Sequence, residues 1–148
     1  MVRPPVPCDD LGRVSDTGER RGDVKLIVDG NNVMGSRPDG WWRDRGRAAE
    51  RLAEAIAGWA EGSREVTVVF DGHPPAAYAA PRGIQVRFAD RGGRDAADDV
   101  IVGLVAAAED AAALEVVTSD VGLADRVGAL GARVRGARGF RDEVDRGS

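Results

Sequence analysis

Three apolar runs in this chain end the same way, on an aspartate. Lys25-Leu26-Ile27-Val28 runs into Asp29-Gly30, and Val66-Thr67-Val68-Val69-Phe70 runs into Asp71-Gly72. Leu114 to Val117 runs into Thr118-Ser119-Asp120. Short runs that are apolar almost throughout suit strands buried on both faces, which is the condition of a parallel sheet. Helical stretches separate them. Ala48, Leu52, Ala55, Ile56 and Trp59 recur at three- and four-residue steps, so a helix is expected over 44–61 with Asp44 as its N-cap. A second helix is expected from Asp95 to about Asp110, with Ile101, Leu104, Val105 and Ala108 on its core face. A short helix over 121–130 follows the run that ends at Asp120. Further strands are expected over 84–88 and 132–135. Strands alternating with helices make right-handed β-α-β units and a parallel α/β sheet.

The segments outside this pattern read differently. Residues 1–22 are rich in Pro, Gly, Arg and Asp and are expected to form a disordered tail, leaving one domain over 23–148. Residues 33–43 and 91–94 read as loops. From Gly136 the chain is polar, and one helical turn or a frayed end is expected.

Composition narrows the chemistry. The only cysteine is Cys8 and the only histidine is His73, so a Cys- or His-based metal site is excluded and any metal must be held by oxygen. No apolar run approaches the length of a membrane span, and the first 23 residues lack a secretory apolar core, so a cytoplasmic protein without membrane contact is expected. The net charge of −4 argues weakly against a nucleic-acid partner. Against that, every basic residue except Lys25 is arginine, whose planar fork suits phosphate.

In an open parallel sheet, ligands bind beyond the carboxyl ends of the strands. Asp29, Asp71 and Asp120 should therefore share one edge. Asp95, Asp98 and Asp99, spaced i, i+3 and i+4, add acids from the first turns of the second helix. Each position has a bland explanation, because aspartate is common at strand ends and caps helices. Together they would repel one another, and such a cluster either raises its pKa values or binds a cation. An all-oxygen set suits Mg²⁺ or Mn²⁺, ions that activate water and neutralise a phosphodiester in flight. Phosphate-binding glycine loops and a G-x-S-x-G elbow are absent.

Ile27-Val28-Asp29-Gly30-Asn31-Asn32-Val33 resembles the opening motif of the NYN domain family, a branch of the PIN-like nucleases. Ala97-Asp98-Asp99-Val100-Ile101 resembles its A-D-D-x-I helix start, and Thr118-Ser119-Asp120 its T-S-D strand end. The likeness covers about residues 24–136 and is greatest to the YacP-like group. It implies a three-layer PIN-like fold with a central parallel sheet of order 3-2-1-4-5 flanked by helices. It also implies a metal-dependent endoribonuclease acting in RNA processing or decay. Carried over by position, Asp29 would be the central metal ligand, with Asp98, Asp99 and Asp120 as catalytic ligands and Asp71 as a further one. Asn32 would orient the Asp29 carboxylate or a water, and Asp95 would help to orient the set. The final helix looks missing, which would leave a sheet face thinly covered and open to a second copy of the chain as a homodimer.

For the substrate, Arg37, Arg43 and Arg45 leave the first strand on the acidic edge, and Arg91 and Arg94 precede the second helix. Arg138 and Arg141 are further candidates. All would grip phosphates. Trp41 and Trp42 would stack on unpaired bases, which favours single-stranded RNA. At least one of the two is instead expected to pack on the sheet, and His73 is expected to be a turn residue. The ribosome or another RNA-protein assembly is a candidate platform. Two other readings stand beside the nuclease: a non-catalytic RNA-binding module, and a small phosphatase or nucleotide-binding α/β protein. The second acid of a D-x-D phosphatase motif is replaced here by Asn31.

Overall fold

Strand β1 (Lys25–Asp29) lies at the middle of a five-stranded sheet. The computed structural model of the chain describes residues 25–37, 40–61, 65–89 and 96–147. The expected tail over 1–22, the loop arginines Arg91 and Arg94, and Asp95 lie outside the described residues. After β1 come α1 (Gly30–Met34), a 3-10 turn (Trp41–Arg43), α2 (Arg45–Ala60), β2 (Glu65–Asp71) and β3 (Gln85–Ala89). Then follow α3 (Ala96–Ala107), a second 3-10 turn (Ala111–Ala113), β4 (Leu114–Val117), α4 (Val121–Ala129), β5 (Arg133–Arg135) and α5 (Ala137–Gly147). The spatial order is β3-β2-β1-β4-β5, the expected 3-2-1-4-5, and every pairing is parallel.

Side-chain alternation divides the core into two layers. Leu26 and Val28 of β1, with Val66, Val68 and Phe70 of β2, pack toward α2 and α5. Ile27 and Val69, with Leu114 and Val116 of β4, pack toward α3 and α4. The same period of two continues past the apolar runs. Asp29 and Asp71 stand two positions beyond Ile27 and Val69, which directs both toward the layer that contains α3.

The helices follow from local chemistry. Asp44 caps α2 as expected, accepting from the Arg47 N–H at 3.1 Å. Leu52, Ala53 and Ile56 form its buried face. Helix α3 stops at Ala107 rather than near Asp110, because Asp110 instead accepts from the Ala112 N–H and starts the second 3-10 turn. Residues 33–43 are also less loop-like than expected. α1 continues directly from β1, and Trp41–Arg43 forms a 3-10 turn.

The largest correction is at the end of the described chain. Instead of one turn or a frayed end, α5 runs eleven residues. Ala137, Phe140 and Val144, spaced i, i+3 and i+7, are buried against the α2 layer. Phe140 meets Trp59 of α2 edge-on at 5.2 Å. Three apolar residues among six charged ones and two glycines gave a weak signal, although their spacing was helical. The sheet face that looked thinly covered carries this helix, so the argument for a second chain there falls. No helix among the described residues is long and apolar enough to cross a membrane.

Phe140 is fully buried. Phe140→Ala should cost about 3–5 kcal/mol of stability, read from the denaturant midpoint at unchanged m-value. An unchanged midpoint would show that α5 contributes nothing to the core.

Candidate metal centre

At the carboxyl end of β1 the chain turns directly into a helix, and that turn buries a carboxylate. Asp29 is only 5% exposed. Its Oδ2 accepts from the Thr118 hydroxyl at 2.9 Å, and its Oδ1 accepts from the Asn32 N–H at 3.4 Å as the cap of α1. Gly30 is needed next. A Cβ there would stand 2.5 Å from the Phe70 ring, so no larger residue fits without moving β2.

The two asparagines that follow brace the neighbouring strands. Asn31 Oδ1 accepts from the Asp71 N–H at 2.6 Å, tying α1 to the end of β2. Asn32 Oδ1 accepts from the Ser119 N–H at 2.7 Å, tying α1 to the segment after β4. Ser119 Oγ in turn accepts from the Ala137 N–H at the start of α5. Thr118 Oγ1 also accepts from the Asp120 N–H at 3.1 Å. The side chains of Asn31, Thr118 and Ser119 thus align the strand ends. Sequence reading did not single them out as functional, though short polar residues between a buried run and an aspartate were the available signal.

Burial pushes the Asp29 carboxyl from its ordinary 3.8 up to about 6. The hydrogen bonds from Thr118 and Asn32 pull it back, and the nearby negative charges of Asp98 and Asp71 push it up again. Of the two helix acids, Asp98 is the one near enough to Asp29 to act on it. It lies on the stripe of Ile101 and Val105, both buried. Asp99 turns away, is exposed, and pairs with Arg126 of α4 at 3.3 Å. Asp71 Oδ1 accepts from the Ala97 N–H at 2.9 Å, holding the start of α3 to the end of β2. Asp120 is exposed and caps α4 through the Leu123 N–H at 3.1 Å. Asp71 and Asp120 thus do the capping work that the bland reading foresaw, while still standing at the expected edge. Among the described residues, no three acidic, histidine or cysteine side chains come together as a ready-made metal cage.

The basic and aromatic candidates are also dispersed. Arg37 is gripped by Asp142 and by Asp145, the latter at 2.8 Å, both on α5. Arg43 lies over the Trp42 ring and Arg45 over the Trp41 ring. Trp41 packs against the core, whereas Trp42 is 52% exposed. His73 is an exposed turn residue.

Thr118→Val keeps the shape of the side chain but removes the hydroxyl from Asp29. The Asp29 pKa should rise above about 6 in a carboxyl NMR titration. Stability at neutral pH should fall by about 1–3 kcal/mol, and by less below pH 5, where Asp29 is protonated in both proteins.

Known proteins share this fold. Two crystal structures of Rae1 (YacP) from Bacillus subtilis superpose on the chain. One, a point mutant, is 28% identical, covers 82% of this chain and 74% of its own, and gives a TM-score of 0.65. The other is 26% identical, covers 82% and 73%, and gives 0.63. No curated protein matches the chain. The profile described as YacP-like NYN domain matches residues 26–148, from β1 through α5. The chain belongs to the YacP-like NYN domain family.

Proposed function

We propose that this protein is an endoribonuclease that hydrolyses RNA phosphodiester bonds with Mg²⁺ or Mn²⁺. The observation that carries this reading is the Asp29 carboxyl, buried at the switch point of a parallel sheet with the charges of Asp98 and Asp71 near enough to raise its pKa further. A fold has no packing reason to bury a carboxyl and aim another negative charge at it; a cation bound there offsets both costs. The family supports the same direction, being a nuclease-like, RNA-related domain family.

The residues present fit such an ion. The donors are all carboxylate oxygens, which suits a hard cation, and Mg²⁺ commonly takes only one or two carboxylates and keeps several waters. Asp29 and Asp98 would hold it, with Asp71 and Asp120 at the rim. Asp99, Asn32 and Asp95 remain as the resemblance assigns them, with Asp99 needing to leave Arg126 before it contributes. The ion supplies charge neutralisation at the phosphodiester and acidifies a water for attack. The protein's own part is positional. Thr118 and Asn32 fix the Asp29 oxygens, and Asn31 holds the end of β2 in register with α1. Single-stranded RNA is the proposed substrate, met through the exposed Trp42 and Arg43 on the loop after α1. The cytoplasm is the proposed compartment, and the ribosome or another RNA-protein assembly is a proposed platform.

The direct test is cleavage of end-labelled single-stranded RNA with Mn²⁺ or Mg²⁺ against EDTA. Wild type should cut only with metal, and Asp29→Asn should lose at least 100-fold in rate. RNA binding without cleavage, in metal, would turn the reading toward a binding module. Failure to bind RNA or metal would sink it.

Asp29 also predicts an opposition between stability and activity. Its raised pKa means that the folded state holds the proton more tightly than the unfolded chain does. Stability from this group is therefore undiminished below about pH 4 and falls as pH rises through about 6, by about 3 kcal/mol at neutral pH. Asp29→Asn should thus unfold at a higher temperature than wild type at pH 7.5, with the gap closing near pH 4. In limiting metal, cleavage by wild type should fall below about pH 6 and the limb should move to lower pH as metal is raised, because proton and cation compete for one carboxylate.

A further inference from the structure

Beside the Asp29 site, on the α2 side of the sheet, lies a cavity of about 250 Å³ that the proposed chemistry does not use. Its apolar lining includes Met34 of α1 and Phe88 of β3. Phe88 is stacked on Phe70, which also lines the cavity, at 5.4 Å and is met edge-on by Tyr78 at 5.3 Å, so the aromatic wall is held by its neighbours. Polar groups come from Asn31, Arg45 and His73, and Asp71 lines the rim with its carboxylate turned to the start of α3. Asn31 spends its Oδ1 on the Asp71 N–H, so a bond from its side chain to a ligand would come from Nδ2. Two of these residues tie the cavity to the metal centre. Asp71 is close enough to raise the Asp29 pKa, and Asn31 lies two residues from Asp29.

We propose that this cavity receives one unpaired nucleobase of the RNA strand whose backbone lies on the Asp29 site. The inference rests on the nuclease reading for the strand, but the base pocket itself is a binding claim. Three features carry it. The volume is below the roughly 300–1,000 Å³ usual for sites that take a drug-sized ligand, which suits a single flat ring system rather than a whole nucleotide. The lining joins an aromatic wall to donor groups, the combination that holds a splayed-out base by stacking and by hydrogen bonds to its edge. The cation of Arg45 stands at the first turn of α2, where it can meet the base face or the adjoining phosphate. A base lodged here would fix which phosphate reaches Asp29, so the pocket would set the position of the cut.

The test is binding of the four ribonucleoside 5′-monophosphates to the full chain, followed by amide NMR in EDTA, with ribose 5-phosphate as the control. At least one nucleotide should shift Asn31, Gly46, Gly72 and His73, and ribose 5-phosphate should not. Ala49→Met, which extends a side chain of α2 into the cavity, should weaken that nucleotide at least 10-fold. Arg45→Ala, an exposed substitution that leaves the core intact, should weaken it several-fold and guards against a folding defect in the first variant. Equal shifts from ribose 5-phosphate, shifts centred elsewhere, or binding unaffected by both variants would overturn the pocket. The two proposals separate cleanly. Base binding without any cleavage would strike the nuclease reading alone, and cleavage without base binding would strike the pocket alone.

Discussion

The hydrogen bond from Thr118 to Asp29 is the contact on which the rest of this edge depends. It joins the ends of two neighbouring parallel strands through a carboxylate that is almost out of water. Burying a carboxylate is costly, and two donated hydrogen bonds recover only part of that cost. The remainder is visible as the raised pKa. A protein selected only for stability would place an amide or an apolar residue here. The site is thus a local debit carried by the two packed layers on either side of the sheet.

Around that carboxylate, the edge is organised by short polar side chains rather than by charge pairing. Asn31 reaches to β2, Asn32 to the segment after β4, and Ser119 to the start of α5. Each saturates a backbone N–H that the end of a strand or the start of a helix leaves open. The adjoining pair of asparagines therefore links α1 to elements on both flanks of β1. The aspartates divide similarly: Asp71 and Asp120 hold helix starts, Asp99 faces Arg126, and Asp29 is held by Thr118 and Asn32 with Asp98 and Asp71 near enough to raise its pKa.

Much of the fold was legible because the strands are apolar almost throughout and the helices are periodic. Val66–Phe70 and Leu114–Val117 hardly admit another reading, and the order of the strands followed from the family likeness. α5 was not legible, because Phe140 and Val144 look isolated until they are placed on one helical face against Trp59. In the candidate site, the location at the strand ends was legible but the division of labour was not. Whether an aspartate caps a helix or faces a neighbouring acid depends on contacts such as Ala97 to Asp71, which join residues distant in sequence. The stripe that Asp98 shares with buried Ile101 and Val105 was readable from spacing alone, whereas the pairing of Asp99 with Arg126 was not. The pairing of Arg37 was not legible for the same reason: its partners, Asp142 and Asp145, lie more than a hundred residues away.

The central position of β1 has a consequence for how the molecule acquires its site. β1 pairs with β2 some 40 residues on and with β4 some 89 residues on, as Lys25 does with Glu65 and Leu114. Contacts of such sequence separation form late and slowly, after the entropy of closing long loops has been overcome. Asp29 meets Thr118 only when those closures are complete. A partly folded chain in which β1 has not paired with β4 therefore lacks the contact that fixes the Asp29 carboxylate. Whatever this edge does with Asp29 held by Thr118, it does only once β1 has paired with β4, so the site and the long-range topology are acquired together.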